Sequence, residues 1–190
     1  VAARMARGNL SKTEVDLVCA TPQARDPALA PQLLAGGFVR PGNTSHAAAL
    51  ACMGNSAAHA QTLRALTSPQ DDDVAIAQVY LRHRQLADVE ELRAITANIA
   101  RMTVGGAQVR ALETLARQRL ADPQSLQAIA NLFPLARSIE VQRAIAGILI
   151  RSDTQMLARA DVARSLRQHR LKSTSGDDVI DMLIRMLQTT

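Results

Sequence analysis

Four histidines, two cysteines and a run of three aspartates are the residues of this 190-residue chain whose types could support metal or acid–base chemistry. None of His46, His59, His83 and His169 pairs with a His, Cys or carboxylate at the i, i+3 or i+4 spacing of a helical metal face. Cys52 lies between His46 and His59, and the three would converge only if a turn at Gly54-Asn55 folded them together; packed or solvated side chains are the plainer reading. Cys19 and Cys52 stand far apart with no CxxC or Cys/His pattern, so neither a disulfide framework nor a zinc site is expected, and a reducing, cytoplasmic setting is. Asp71, Asp72 and Asp73 are consecutive and lack the alternation and distant Glu of an EF-hand, which makes them a helix start favoured by the helix dipole. No Gly-x-Ser-x-Gly elbow exists, and the serines fall at apparent helix starts. Gly105-Gly106 lacks the Lys of a P-loop and the third glycine of a dinucleotide loop, and reads as a turn. Asn43-Thr44-Ser45 matches a glycosylation sequon but reads as the cap of a helix running from His46. No catalytic residue, metal or cofactor is expected, and the chain is not read as an enzyme.

The remaining chemistry is basic. The net charge is +5, and all but two of the 22 basic residues are arginine, the lysines being Lys12 and Lys172. Arg164, Arg167, Arg170 and Lys172 follow near-helical spacing and could lie along phosphates; the alternative is a solvated helix face with cations favoured near a C-terminus. A second group, Arg82, Arg110, Glu113, Arg117, Gln142 and Arg143, falls on the polar side of helices whose other side is apolar. In the helix carrying Val109, burial of Val109, Leu112, Leu115 and Ala116 would leave Arg110, Glu113 and Arg117 on the outer face.

The elements that must position these residues are helices. The composition is 47% hydrophobic yet only 2% aromatic, so Ala, Leu, Ile and Val do the packing, which suits closely spaced helices better than strands. Ser11 with Glu14 and Asp88 with Glu91 have capping-box spacing; Asp26-Pro27 and Asp122-Pro123 put a capper before a proline at the first helical position. Ser138 and Asp161 are further starts. Apolar stripes run through Val89, Leu92, Ile95, Ile99 and Met102, through Leu126, Ile129, Ala130 and Phe133, and through Val141, Ala144, Ile145, Ile148 and Leu149. Turns are expected at Gly36-Gly37, Pro41-Gly42, Gly54-Asn55, Ser68-Pro69 and in a Ser/Gly linker at 173–176. No apolar run approaches the roughly 18 to 20 residues of a membrane span. The chain begins Val1-Ala2-Ala3, without an initiator Met, and is read as a fragment or processed form, a module of a larger bacterial-type protein.

Self-similarity organises the middle. Glu91-Leu92-Arg93-Ala94-Ile95 recurs as Ser125-Leu126-Gln127-Ala128-Ile129, about 34 residues on, each followed by a helix opening at Val109 or Val141; Val74 opens a third. Gln108-Val109-Arg110-Ala111-Leu112 and Glu140-Val141-Gln142-Arg143-Ala144 resemble the acidic-x-Val-Arg-x-x-Ala opening of the second helix in HEAT-like, armadillo-type repeats. The likeness spans 56–151 and is degenerate: the arginine is displaced to Arg143 in one copy and replaced by Ala75 in another. It implies an all-α α-α superhelix, a solenoid of short antiparallel helix pairs whose concave face binds protein or nucleic acid. The chain is accordingly expected to be one helical-repeat domain over 1–190, with an irregular N-terminal cap at 1–55, repeats at 56–172 and an apolar C-terminal helix at 177–190. That last helix, apolar on almost every side from Val179 to Leu187, is either tucked under the last pair or docked on another subunit. A non-enzymatic scaffold binding a protein partner along its groove is the leading expectation, with nucleic-acid binding through an arginine-rich face as the alternative. DNA glycosylases and bilin lyases use such folds too, but the resemblance carries no catalytic residue here.

Overall fold

The computed structural model describes residues 10–21, 43–173 and 178–189. The expected starts and turns at Asp26-Pro27, Gly36-Gly37 and Pro41-Gly42, and most of the 173–176 linker, lie outside them. Among the described residues all regular structure is helical, in ten α-helices and two short 3-10 turns. The chain divides into two compact units, 1–85 and 86–190, so the stretch 56–172 is divided by the unit boundary.

The first unit contains α1 (Lys12–Ala20), α2 (Thr44–Cys52), α3 (Ser56–Ala65) and α4 (Asp71–Leu81). Ser11 and Glu14 form the expected capping box, and Asn43 and Asn55 accept from the first-turn amides of α2 and α3. Gly54, at φ 97°, makes the turn between those two helices. α4 opens with its three aspartates in the first turn, and Asp73 accepts from the hydroxyls of Thr44 (2.8 Å) and Ser68 (3.0 Å). Every residue from His46 to Cys52 in α2 and from Val74 to Leu81 in α4 is buried. Helices apolar on all sides belong at the centre of a unit, and α1 and α3 pack against this pair. Tyr80, buried in α4, shares a 2.5 Å hydrogen bond between its hydroxyl and His59 Nδ1. His83 Nε2 pairs with Asp16 at 2.7 Å and so ties the end of α4 to α1.

One expectation is overturned in this unit. Cys19 of α1 and Cys52 of α2 form a disulfide, with Cα atoms 5.1 Å apart and a sequence separation of 33. Packing of α1 on α2 brings together two residues whose spacing along the chain gave no sign of it. The convergence of His46, Cys52 and His59 likewise does not form: Cys52 is spent on Cys19 and His59 on Tyr80.

The second unit contains α5 (Val89–Ala100), α6 (Gly105–Ala116), α7 (Pro123–Leu132), α8 (Ile139–Arg151), α9 (Arg159–His169) and α10 (Val179–Gln188). Asp88, Asp122 and Ser138 cap α5, α7 and α8 from the positions their spacing predicts, with Pro123 at the first position of α7. Two starts are corrected. α9 begins at Arg159 behind Ala158, leaving Asp161 inside its first turn. Gly105-Gly106 opens α6 rather than forming a turn, because 101–104 already make the connection. α5 packs on α7 and α6 on α8, while α10 packs on α8 and α9, so the helices form two layers. The stripes at Leu126 and Val141 are buried throughout, whereas Val89 at the head of the first is 42% exposed. α10 buries Ile180, Leu183 and Leu187 and exposes Met182 and Met186, so one face is tucked and the other open.

Element positions recur more regularly than the sequence suggested. The residues preceding α4, α6 and α8 are Gln70, Val104 and Ser138, each 34 residues from the next by subtraction, as are Asp88 and Asp122. Gln108 donates to the Ile99 carbonyl (3.0 Å) and Gln142 to the Phe133 carbonyl (3.5 Å), the same bond displaced by the same interval. Aligning Val109 with Val141 is therefore two residues out of register; the equivalent of Val109 is Arg143.

Candidate binding groove

Connections of a few residues keep successive helices antiparallel, so α6 and α8, stacked side by side, run in the same direction. Between them lies a groove of about 500 Å³. Its apolar floor comes from Val109 and Ala116 of α6 and from Ala144 and Gly147 of α8. Glu113 and Arg117 on one side and Glu140, Arg143 and Arg151 on the other supply the charge. By the 34-residue register Arg117 and Arg151 are equivalent residues at the ends of their helices, and both are exposed. Gly147 is the equivalent of Glu113, and a Cβ built on it meets nothing within 4 Å, so the groove is open at that point.

The expected concave-face residues separate here. Glu113, Arg117 and Arg143 line the groove. Arg82 ends α4 in the first unit, and Arg110, half-buried, does not line it. Gln142 is corrected outright, since it is 1% exposed. Its amide donates to the His169 carbonyl at 2.8 Å and accepts from the Leu171 amide at 2.8 Å, so it joins α8 to the end of α9. The buried face of α6 is also shifted from the expected one. Ala107, Ala111, Leu112, Thr114 and Leu115 are buried, while Val109 and Ala116 are half-exposed on the groove.

The basic stripe does not present four available cations. Arg170 is committed to Asp178 (3.3 Å) and Asp181, and Arg164 pairs with Asp161 at 3.1 Å; Arg167 and Lys172 are exposed. Arg143 also reaches Asp178 (3.2 Å) and donates to the Ser173 hydroxyl (2.6 Å). Since Asp178 caps α10, Arg143 and Arg170 fasten the start of that helix to α8 and α9.

Sequence reasoning missed Gly147, Ala144, Glu140 and Arg151 as groove residues. Gly147 alone carried a signal: a glycine in the middle of an otherwise apolar helix costs about 1 kcal/mol against alanine, which invites a reason for it. A second hollow, about 360 Å³, lies at the first turns of α6 and α8 and includes Arg101, Leu135 and Arg137. Among the described residues no three His, Cys, Asp or Glu side chains gather as metal ligands, and no helix is long and apolar enough to cross a membrane. The chain matches no family model, no curated protein and no solved structure.

Proposed function

We propose that the second unit is a non-enzymatic, HEAT-like scaffold that binds an extended acidic segment of a protein partner across the groove between α6 and α8. The observation that carries this reading is the matched pair Arg117 and Arg151, at equivalent positions on adjacent parallel helices, beside a floor of small and apolar residues. The 34-residue recurrence of caps and glutamine bonds supports treating the helix pairs as repeats stacked into a short right-handed solenoid. Stacked helices lie about 10 Å apart, close to the roughly 9 Å that one three-residue turn of an extended polyproline-II segment spans before a side chain returns to the same face. Two carboxylates at i and i+3 would therefore each meet an arginine, and arginine forks suit carboxylates and carbonyls. A small-residue floor admits the backbone of the bound segment close to the helices.

Nucleic acid is less favoured as the partner. The stripe Arg164, Arg167, Arg170 and Lys172 has two of its members engaged by aspartates, and this segment has no aromatic on which a base would stack.

The test is fluorescence anisotropy with labelled, end-capped hexapeptides carrying Glu at i and i+3, compared with the same residues reordered to place both Glu adjacent. Tighter binding of the first set is expected. Gly147→Leu, whose side chain enters open space, should weaken binding at least tenfold without loss of helix content, and so should Arg117→Ala with Arg151→Ala. Equal binding of both peptide sets, unaltered by Gly147→Leu, would remove the groove from consideration.

A further inference from the structure

The disulfide in the first unit plays no part in the groove, and its surroundings say what it is for. Cys19 and Cys52 are 2% and 3% exposed, too enclosed for a surface thiol exchanging with passing disulfides. α1 is only 9 residues long and buries three of them, Val15, Val18 and Cys19. A helix so short does not persist in water unaided, and among the described residues a further side-chain tie to the unit is the half-exposed His83–Asp16 pair. α2, by contrast, is buried from His46 to Cys52, and part of that burial is against α1.

We infer that the Cys19–Cys52 bond is the structural staple that holds α1 over the α2–α4 pair, and that the protein matures where thiols are oxidised rather than in the cytoplasm. Forming the bond removes a proton from each thiol and passes two electrons to a donor disulfide, such as oxidised glutathione or an oxidised dithiol protein. One cysteine attacks the donor to give a mixed disulfide; the second displaces it, and the donor leaves as two thiols. In a compartment poised by reduced glutathione the reverse exchange would be open to every chain not yet folded, and α1 would lose its covalent hold.

The experiment uses the full chain, secreted into an oxidising compartment and purified without reductant. Denatured and treated with iodoacetamide, it should take up no alkyl group before reduction and two after it, read by intact mass; two groups taken up before reduction would overturn the proposal. Dithiothreitol should lower the unfolding temperature of the oxidised protein by about 10 °C and raise amide exchange in α1 at least tenfold. A Cys19→Ser, Cys52→Ser variant should not respond to the reductant. Should that variant fail to fold, the wild-type comparison decides alone. Unchanged melting and unchanged α1 exchange on complete reduction would show that α1 needs no staple.

Discussion

Asp122 accepts four hydrogen bonds on two carboxylate oxygens. It accepts both arms of Arg93 at 3.1 Å and takes the Ser125 amide (3.1 Å) and hydroxyl (2.6 Å) as the cap of α7. The Arg93 guanidinium first, and the Ser125 donors next, hold its pKa well below the usual carboxylate range against the opposing effect of burial. The same hydrogen bond holds Arg93 more strongly protonated. Because the folded value is depressed, the stabilisation is complete above the unfolded value of about 4 and is lost as the pH falls from there toward the folded one. Thermal melts at pH 7, 4 and 2.5 should show this decline, and Asp122→Asn, which keeps a cap but cannot ionise, should flatten it. Asp122→Ala removes the cap as well and should cost about 1 to 2 kcal/mol at pH 7. An undiminished acid slope in the Asn variant would place the sensitivity elsewhere.

Between elements, the two glutamines test what a repeat is made of. Among the described residues Gln108 bonds within its own helix pair, whereas Gln142 also reaches the His169 carbonyl and the Leu171 amide. Gln142→Leu leaves those groups without a partner and should cost about 2 to 3 kcal/mol in denaturant unfolding, against about 1 kcal/mol or less for Gln108→Leu. Equal costs would mean that the contact to α9 contributes nothing. Gln142 also shows where the sequence stops being informative. Apolar spacing assigns a polar residue to the outside, and nothing in one helix reveals that a later connection will cover it. The caps at Ser11, Asp88, Asp122 and Ser138 were legible because a capping bond spans only three residues. The repeat register was blurred because Val109 and Val141 look alike while the equivalent pair, Val109 and Arg143, do not. The Cys19–Cys52 pairing depends on how α1 lies on α2, a long-range fact no spacing encodes. Of the groove, Glu113, Arg117 and Arg143 could be anticipated from α6 and α8 taken singly; its floor required both helices together.

For the molecule as a whole, the charge of +5 gives a general attraction to polyanions, and the placement of the arginines limits what that can become. With Arg143 and Arg170 holding α10 in place and Arg164 paired with Asp161, the stripe is left with Arg167 and Lys172 to release counterions along a phosphate backbone. Duplex DNA should be retarded only at low ionic strength and freed by about 150 mM salt, as gel-shift titration would show. A discrete complex surviving that salt would return the nucleic-acid reading to first place.

The constant interval between helix pairs also makes length an adjustable quantity. A duplicate of 88–121 inserted before Asp122 would begin with its own capping aspartate, met by Arg93 of the preceding pair, and would end by offering its own arginine to Asp122. The added joint would thus be written in the same two side chains, an arginine and a capping aspartate, as the existing one. On the proposed repeat reading, such an added pair would extend the row of groove arginines by one.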